Sequence, residues 1–296
     1  MIVHEIQKKW GTVIEISPED FFEKPLDFWR DMIYQRKLLI FKKMEFDKIQ
    51  YLKFCLRFGK PWSKEEYDYS HELAELLNVD NESFWISPFS NILSKRLINH
   101  EMPWHADIPN RSFSPFPFRS LWITKNPRPK WSGHTSWLNL DLGMQFLNDE
   151  LKDLAERVTV VQQSWYEPGT DIKEFPLIKY HPITGEKSLR LNYFTEPNKE
   201  KTEDAWIIGI KIDNKLQKDC NLIKEYIDCI SQEQTLLYTH IWDTFDIAIY
   251  DNWSFVHKRS QVLAGPTEER HFYRVNINHC SNTEWQEHKD HVLMQS

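Results

Sequence analysis

No stretch of this chain approaches the roughly 18 consecutive apolar residues that a membrane span requires, and its mean hydropathy is -0.60. No Gly/Ser linker, low-complexity tract or repeat of roughly 20 to 50 residues divides it, so a single domain over residues 1–296 is predicted. The four cysteines, Cys55, Cys220, Cys229 and Cys280, form no CxxC pair. That excludes a zinc finger and suits a reducing compartment. There is no block of Lys or Arg, and the net charge is -7, so nucleic acid is not an expected partner. The opening MIVHEIQKKWGTV lacks the basic stretch and apolar segment of a secretory signal. It is read as a mature N-terminus of a soluble, cytoplasmic protein without a membrane partner.

What is present is apolar and aromatic material, 41% hydrophobic and 14% aromatic, ample for a sizeable core. Ser17-Pro18-Glu19-Asp20 predicts a short helix with Ser17 as its cap. Pro25 opens a second helix, with Leu26, Trp29, Met32 and Ile33 on one face. Residues 37–41 read as a buried strand, and 46–58 as a helix closed by Gly59. From Trp104 onward the chain turns to short strand-like runs: 118–124, 134–140, 157–165, 188–194, 245–252 and 272–278. Helices are expected at 143–156 and 219–232. The fold class predicted is mainly β with flanking helices, a double-stranded β-helix or jelly roll.

His105-Ala106-Asp107 comes directly after Pro103-Trp104. In an extended segment residues two apart share a face, so both side chains could meet one metal ion, offering nitrogen and oxygen to a mid-row divalent cation. Alone, such a pair more often describes solvated loop residues or a histidine hydrogen-bonded to its neighbour. His257 closes the run FDIAIYDNWSFVH and is the candidate third ligand, with a core or surface histidine as the plainer alternative. Along RHFYRVNI (270–277), alternation puts Arg270, Phe272, Arg274 and Asn276 on one face, and Tyr273, Val275 and Ile277 on the other. Arginines on such a face need anions: a dicarboxylate co-substrate, or an ordinary salt bridge with one of the chain's 44 acidic residues.

Taken together, HADIP (105–109), SGHTSW (132–137), YHPITGEKSLRLNYFT (180–195), WDTFDIAIYDNWSFVH (242–257) and RHFYR (270–274) resemble, in order and approximate spacing, the taurine dioxygenase family of iron(II)/2-oxoglutarate oxygenases. KLLIFKKMEFDKIQYLKFCLRFGKPW (37–62) resembles that family's opening strand and helix. The resemblance implies that His105, Asp107 and His257 hold Fe(II) as a facial triad. It implies that the Thr135 hydroxyl and Arg270 hold the carboxylates of 2-oxoglutarate, with Arg274 in support. O2 is then the second co-substrate, and hydroxylation of an unactivated C–H bond is coupled to release of succinate and CO2. Asp107 favours oxygenation, since related halogenases replace this carboxylate by a small residue. His181-Pro-x-Thr-Gly185 resembles the family's hairpin and reads as structural.

Departures limit the transfer. Phe245-Asp246 stands where the family has Gly-Asp, and Ser132-Gly133 before His134-Thr135 where it has Gly-Gly before Asp-Thr. The family's taurine-binding Asn, His and Tyr have no counterparts, and Glu101 would repel a sulfonate, so taurine is not the expected substrate. Glu101 and Arg190 are the candidate substrate contacts, for an ammonium and an anion respectively. They point to a small polar molecule such as an amino acid or its derivative, with a solvated carboxylate and a surface arginine as the alternatives. Trp104, Trp131, Trp165 and Trp253 are candidate pocket walls or core residues. Two other functional readings stand beside the oxygenase: a non-catalytic jelly-roll binding protein, and a metal-dependent hydrolase on the same fold. Homo-oligomerisation is left open.

Overall fold

The computed structural model describes residues 1–62, 86–92, 101–107, 118–128, 130–163, 172–191, 206–265 and 267–294. Two antiparallel sheets face each other, and the site lies between them. The larger has seven strands in the order Ile2–Glu5, Thr12–Glu15, Leu38–Phe41, Ile247–Asp251, Phe118–Lys125, His271–Ile277 and Ser87–Ser90. One pair in it, Thr12–Glu15 with Leu38–Phe41, is parallel. The smaller has four strands in the order Leu237–His240, Thr135–Asn139, Phe255–Arg259 and Met102–His105.

Period-2 alternation assigns each residue to a layer. In the larger sheet Leu39, Phe41, Ile247, Ile249, Val275 and Ile277 face outward, against Trp29, Ile33, Tyr51, Phe54 and Phe58 of the N-terminal helices. Leu38, Ile40, Ala248 and Tyr250 face inward, where Trp137, Trp242 and Phe255 meet them. On the outer side of the smaller sheet, Leu138 and Val256 pack on a third layer. That layer consists of the sheet Lys215–Gln217, Trp206–Ile212, Val158–Gln163 and Ile172–Pro176, and of the helix Asn221–Ser231. Helices outside, two facing sheets and a further cover are the layered jelly roll that the pattern of short strands predicts.

Local sequence explains most boundaries. Ser17 caps Pro18–Glu23 by accepting from the Asp20 amide. Asp47 and Gln50 form a reciprocal capping box at Lys48–Leu56. Leu26–Arg36 buries Leu26, Trp29 and Ile33, with Met32 only half-buried. The helix expected over 143–156 is instead broken. Leu140–Gly143 runs into a single 3-10 turn, Met144–Phe146, before Asp149–Arg157 begins. The cause is a pair of asparagine caps: Asn139 accepts from the Leu142 amide and Asn148 from the Leu151 amide, each starting its own helix. The strand expected over 188–194 is shorter, Lys187–Leu189, and its last three positions lie outside the described residues, as does Trp165.

One tight link between the two sheets is the turn after Ile247–Asp251. The Ser254 amide and the Asp251 carbonyl are joined at 3.0 Å. The Asp251 carboxylate accepts from the Trp253 amide at 2.9 Å and the Ser254 hydroxyl at 2.8 Å. This turn carries the chain from the larger sheet into Phe255–Arg259 of the smaller one, delivering His257 to the interior. Among the described residues no helix is long and apolar enough to cross a membrane.

Candidate active site

His105 and His257 are direct partners across the pairing of Met102–His105 with Phe255–Arg259, and their ring centroids lie 4.2 Å apart. Asp107 sits two residues beyond the end of its strand. Asn252 clamps its backbone from both sides, donating from Nδ2 to the Asp107 carbonyl at 2.6 Å and accepting its amide at 3.1 Å. One ligand atom from each of His105, Asp107 and His257 lies within 4.8 Å of the others.

The protons are arranged for a metal. His105 Nδ1 is 2.7 Å from the Pro103 carbonyl, an acceptor only, so Nδ1 carries the hydrogen and Nε2 keeps its lone pair. On Asp107, Oδ2 receives the side groups: Arg119 Nε at 3.1 Å and the Tyr250 hydroxyl at 3.2 Å. Burial opposes ionisation of Asp107, yet Arg119, then His257, hold its carboxyl far below the usual range. Burial, then the neighbouring His105, push His257 down to about 3, and burial lowers His105 as well. Near neutral pH the cluster is therefore two neutral imidazoles and one carboxylate, the donor set of a mid-row divalent cation with room left for exogenous ligands. These residues fit an iron(II) ion.

The cluster opens into a cavity of about 80 Å³. Leu121, Ile123 and Phe272 supply its apolar wall, and Thr135, Trp242, Arg259 and Arg270 line it beside the His–Asp–His group. Trp242 Nε1 donates to Thr135 Oγ1 at 2.9 Å, which leaves the Thr135 O–H to donate elsewhere. Arg270 is 2% exposed. Its Nη2 donates to the Gly133 carbonyl at 2.9 Å, while Nε and Nη1 have no hydrogen-bond partner among the described residues. Burial, then the like charge of Arg259, lower it to about 9. A buried guanidinium with unused donors is an anion site.

Gly133 shows why the SGHT segment matters. Its φ is +69°, and a Cβ there would meet Arg270 Cζ and Nε at 2.9 Å. The other expected departure is resolved in the backbone: Phe245 adopts φ +69°, keeping the left-handed conformation that a glycine would take without strain. Hydrogen bonds from its amide to Ile123 and from Met44 to its carbonyl, at 2.7 and 2.8 Å, hold it there.

Of the residues singled out from sequence, His105, Asp107, His257, Thr135 and Arg270 converge on the cavity. Arg274 is on the same face of its strand but stacks over Phe89 at 4.4 Å, beyond the residues lining the cavity, and contributes positive potential at Asp107. Arg190 is buried and packs over Phe175 at 4.4 Å, in the third layer. Glu101 is exposed at the edge of Met102–His105. Trp104 is buried in the outer core, Trp253 is buried, and Trp131 is 77% exposed. The aromatic residues lining the cavity are Trp242, Tyr250 and Phe272 instead. Arg119, Tyr250, Asn252, Trp242 and Arg259 carry no expectation from sequence. Alternation in FRSLWIT already puts Arg119 on the face of Leu121 and Ile123, a charge on an apolar strand face that marks it out.

A second group of the same composition, His181, Asp251 and His279, lies within the same 4.8 Å limit. His181 belongs to the hairpin that joins Ile178–Tyr180 to Lys187–Leu189, as its motif predicts. Gly185 turns that hairpin at φ +71°. His181 Nδ1 accepts two amides, of Ile183 at 3.2 Å and Thr184 at 3.0 Å. Its hydrogen is therefore on Nε2, 3.0 Å from Asp251. Both Asp251 oxygens are already accepting at the turn. This group is a buried ion-pair hub and does not suit a metal.

The sequence profile described as Taurine catabolism dioxygenase TauD, TfdA family matches residues 3–276. An (S)-phenoxypropionate/alpha-ketoglutarate-dioxygenase of Sphingobium herbicidovorans is 22% identical over 243 residues, 75% of each chain. A taurine dioxygenase crystal structure from Burkholderia xenovorans superposes with a TM-score of 0.65 at 18% identity, covering 93% of this chain and 90% of that one. The structure of AAD-2 in complex with Mn(II) and N-oxalylglycine superposes with a TM-score of 0.67 at 16% identity, covering 95% and 98%.

Proposed function

Since the chain belongs to the TauD/TfdA family of Fe(II)/2-oxoglutarate-dependent dioxygenases, we propose that it hydroxylates a C–H bond of a small carboxylate-bearing substrate, with His105, Asp107 and His257 as the iron ligands. When bound, iron with 2-oxoglutarate and O2 supplies the oxidising power, and the co-substrate leaves as succinate and CO2. The observation that carries the reading is the tautomer of His105, which turns a lone pair toward Asp107 and His257 at the mouth of a cavity holding Arg270.

The chain's own residues do the rest. Arg270 takes the distal carboxylate of 2-oxoglutarate, and Thr135, its oxygen occupied by Trp242, donates its hydrogen to the same anion. Leu121, Ile123 and Phe272 keep water from the reacting centre. On the other flank Arg119 and Arg274 both lend positive potential at Asp107. Positive potential on that flank supports an anionic group on the substrate. The carboxylate of the phenoxypropionate relative's named substrate agrees, and an amino acid would supply one too. Glu101, exposed and outside the cavity lining, lends no support to a required ammonium.

Anaerobic addition of Fe(II) and 2-oxoglutarate tests the site through the weak visible charge-transfer band of the chelate. No band in the wild type, or one that survives His105→Ala unchanged, overturns it. Succinate release across aryloxy acids, amino acids, aliphatic acids and sulfonates, with uncoupled turnover subtracted, tests the substrate class. Stimulation by neutral compounds alone would reject a carboxylate substrate.

A further inference from the structure

We infer that Arg259 is a second arginine of the co-substrate site, so that this chain grips the distal carboxylate of 2-oxoglutarate with a pair of guanidiniums, Arg259 and Arg270. The inference rests on the function proposed above.

Three independent placements carry it. Arg259 is two residues beyond His257 on Phe255–Arg259, so the two side chains share the inward face. Its direct partner across the sheet is Thr135, and facing partners in an antiparallel pair put their side chains next to each other. It also lines the same cavity as Arg270 and is close enough to lower the Arg270 guanidinium by like charge. Arg259 is only 8% exposed.

Both guanidiniums face one small cavity, where a charge-assisted contact to an anion is strong. Asp107 is the one carboxylate among the described residues lining that cavity, and it is engaged by Arg119. A dianion entering this cavity meets both guanidiniums and Thr135. Its keto-acid end belongs at the His–Asp–His group, and its distal carboxylate has two oxygens for the Arg259, Arg270 and Thr135 donors.

A ligand-by-variant comparison tests this. Fe(II)-loaded wild type, Arg259→Gln and Arg259→Lys are titrated anaerobically with 2-oxoglutarate and with 2-oxobutyrate, which keeps the keto acid but lacks the distal carboxylate. The readout is the charge-transfer band, and Co(II) binding checks that each variant retains its metal site. Arg259→Gln is expected to weaken 2-oxoglutarate on the order of 30-fold, the range of a charge-assisted contact, and to leave 2-oxobutyrate within about threefold. Equal weakening of both ligands, or of neither, overturns the assignment. Should Arg259→Gln lose Co(II) binding, Arg259→Lys decides. Because it keeps the charge and loses the fork, a selective loss for 2-oxoglutarate of roughly fivefold supports the pair, and equal losses reject it. A wild type with no band overturns the functional reading itself, whereas a normal wild-type band with an indifferent Arg259→Gln overturns Arg259 alone.

Discussion

The two His–Asp–His groups have one composition and nearly one size, yet opposite chemistry. At the His105, Asp107 and His257 group, the spare ring nitrogen of His105 donates to a carbonyl, and the Tyr250 hydrogen bond and the Arg119 ion pair to Asp107 converge on Oδ2. Lone pairs are left over for an ion. At His181, Asp251 and His279, amides occupy Nδ1 of His181 and the turn occupies both oxygens of Asp251. Burial opposes ionisation of Asp251, but the two facing histidines hold its carboxyl well below the usual range, and Lys37 lies 3.8 Å away. What separates a metal centre from a buried ion cluster is thus the outer layer of hydrogen bonds, which fixes where each proton sits.

The strongest way to break that contrast is to remove one carboxylate at a time. Asp107→Ala should lower turnover by a factor on the order of 10³ or more and weaken metal binding, because two imidazoles hold a mid-row ion less tightly than two imidazoles with a carboxylate. Fe(II) or Co(II) titration beside succinate release checks both. Asp251→Ala should do the converse: a loss of about 3–5 kcal/mol in unfolding free energy, because the buried contacts of its carboxylate with the turn, the two histidines and Lys37 are broken, with metal stoichiometry unchanged at one. If Asp251→Ala instead halves a stoichiometry of two in the wild type, the two groups are alike after all.

A smaller effect sharpens the first group. Gly133→Ala drives a methyl into Arg270 and strains a left-handed backbone, so the 2-oxoglutarate requirement should rise roughly 100-fold, the scale of a lost charge-assisted carboxylate contact, while Co(II) affinity stays within about threefold. Equal losses in both would place Gly133 in the metal site.

The smallest effect is one of pH. Burial, then the neighbouring His105, push His257 down to about 3 in the folded chain, against about 6.5 when unfolded. Between those values the unfolded chain binds more protons, so the stability of the metal-free protein rises with pH and is lost on acidification. The slope from this one group is at most about 1.4 kcal/mol per pH unit. Melting metal-free wild type and His257→Gln from pH 6.5 down to 5 checks it. The variant should show the shallower decline.

How much of this is readable in the sequence differs between the two groups. His105, Asp107, Thr135, His257 and Arg270 stand at positions where strand alternation and order along the chain already converge. The inward and outward faces of His271–Ile277 fall as alternation predicts. Arg119, Tyr250 and Arg259 obey the same alternation, but their meaning depends on which strands lie opposite, and register is a property of the paired sheet. Asn139 and Asn148 broke an expected helix because capping outcompeted a continuous apolar period. The strand Trp206–Ile212 and the N-terminal pair Ile2–Glu5 and Thr12–Glu15 also went unread. In the first, IIGI is a short apolar run that periodicity alone does not distinguish from a helix segment. Glu101 took its candidate role from its place four residues before His105 and Arg190 from strand alternation, and neither is among the residues lining the cavity.

Asp251 and Asn252 are neighbours in one turn, and each serves a different group: Asp251 anchors the ion hub, and Asn252 clamps the backbone of Asp107. Stability and chemistry therefore share a hinge pin. A substitution that relaxes the hub to make the protein more pliable would also loosen the seat of the metal's carboxylate, so the two properties will be hard to select separately at this corner of the molecule.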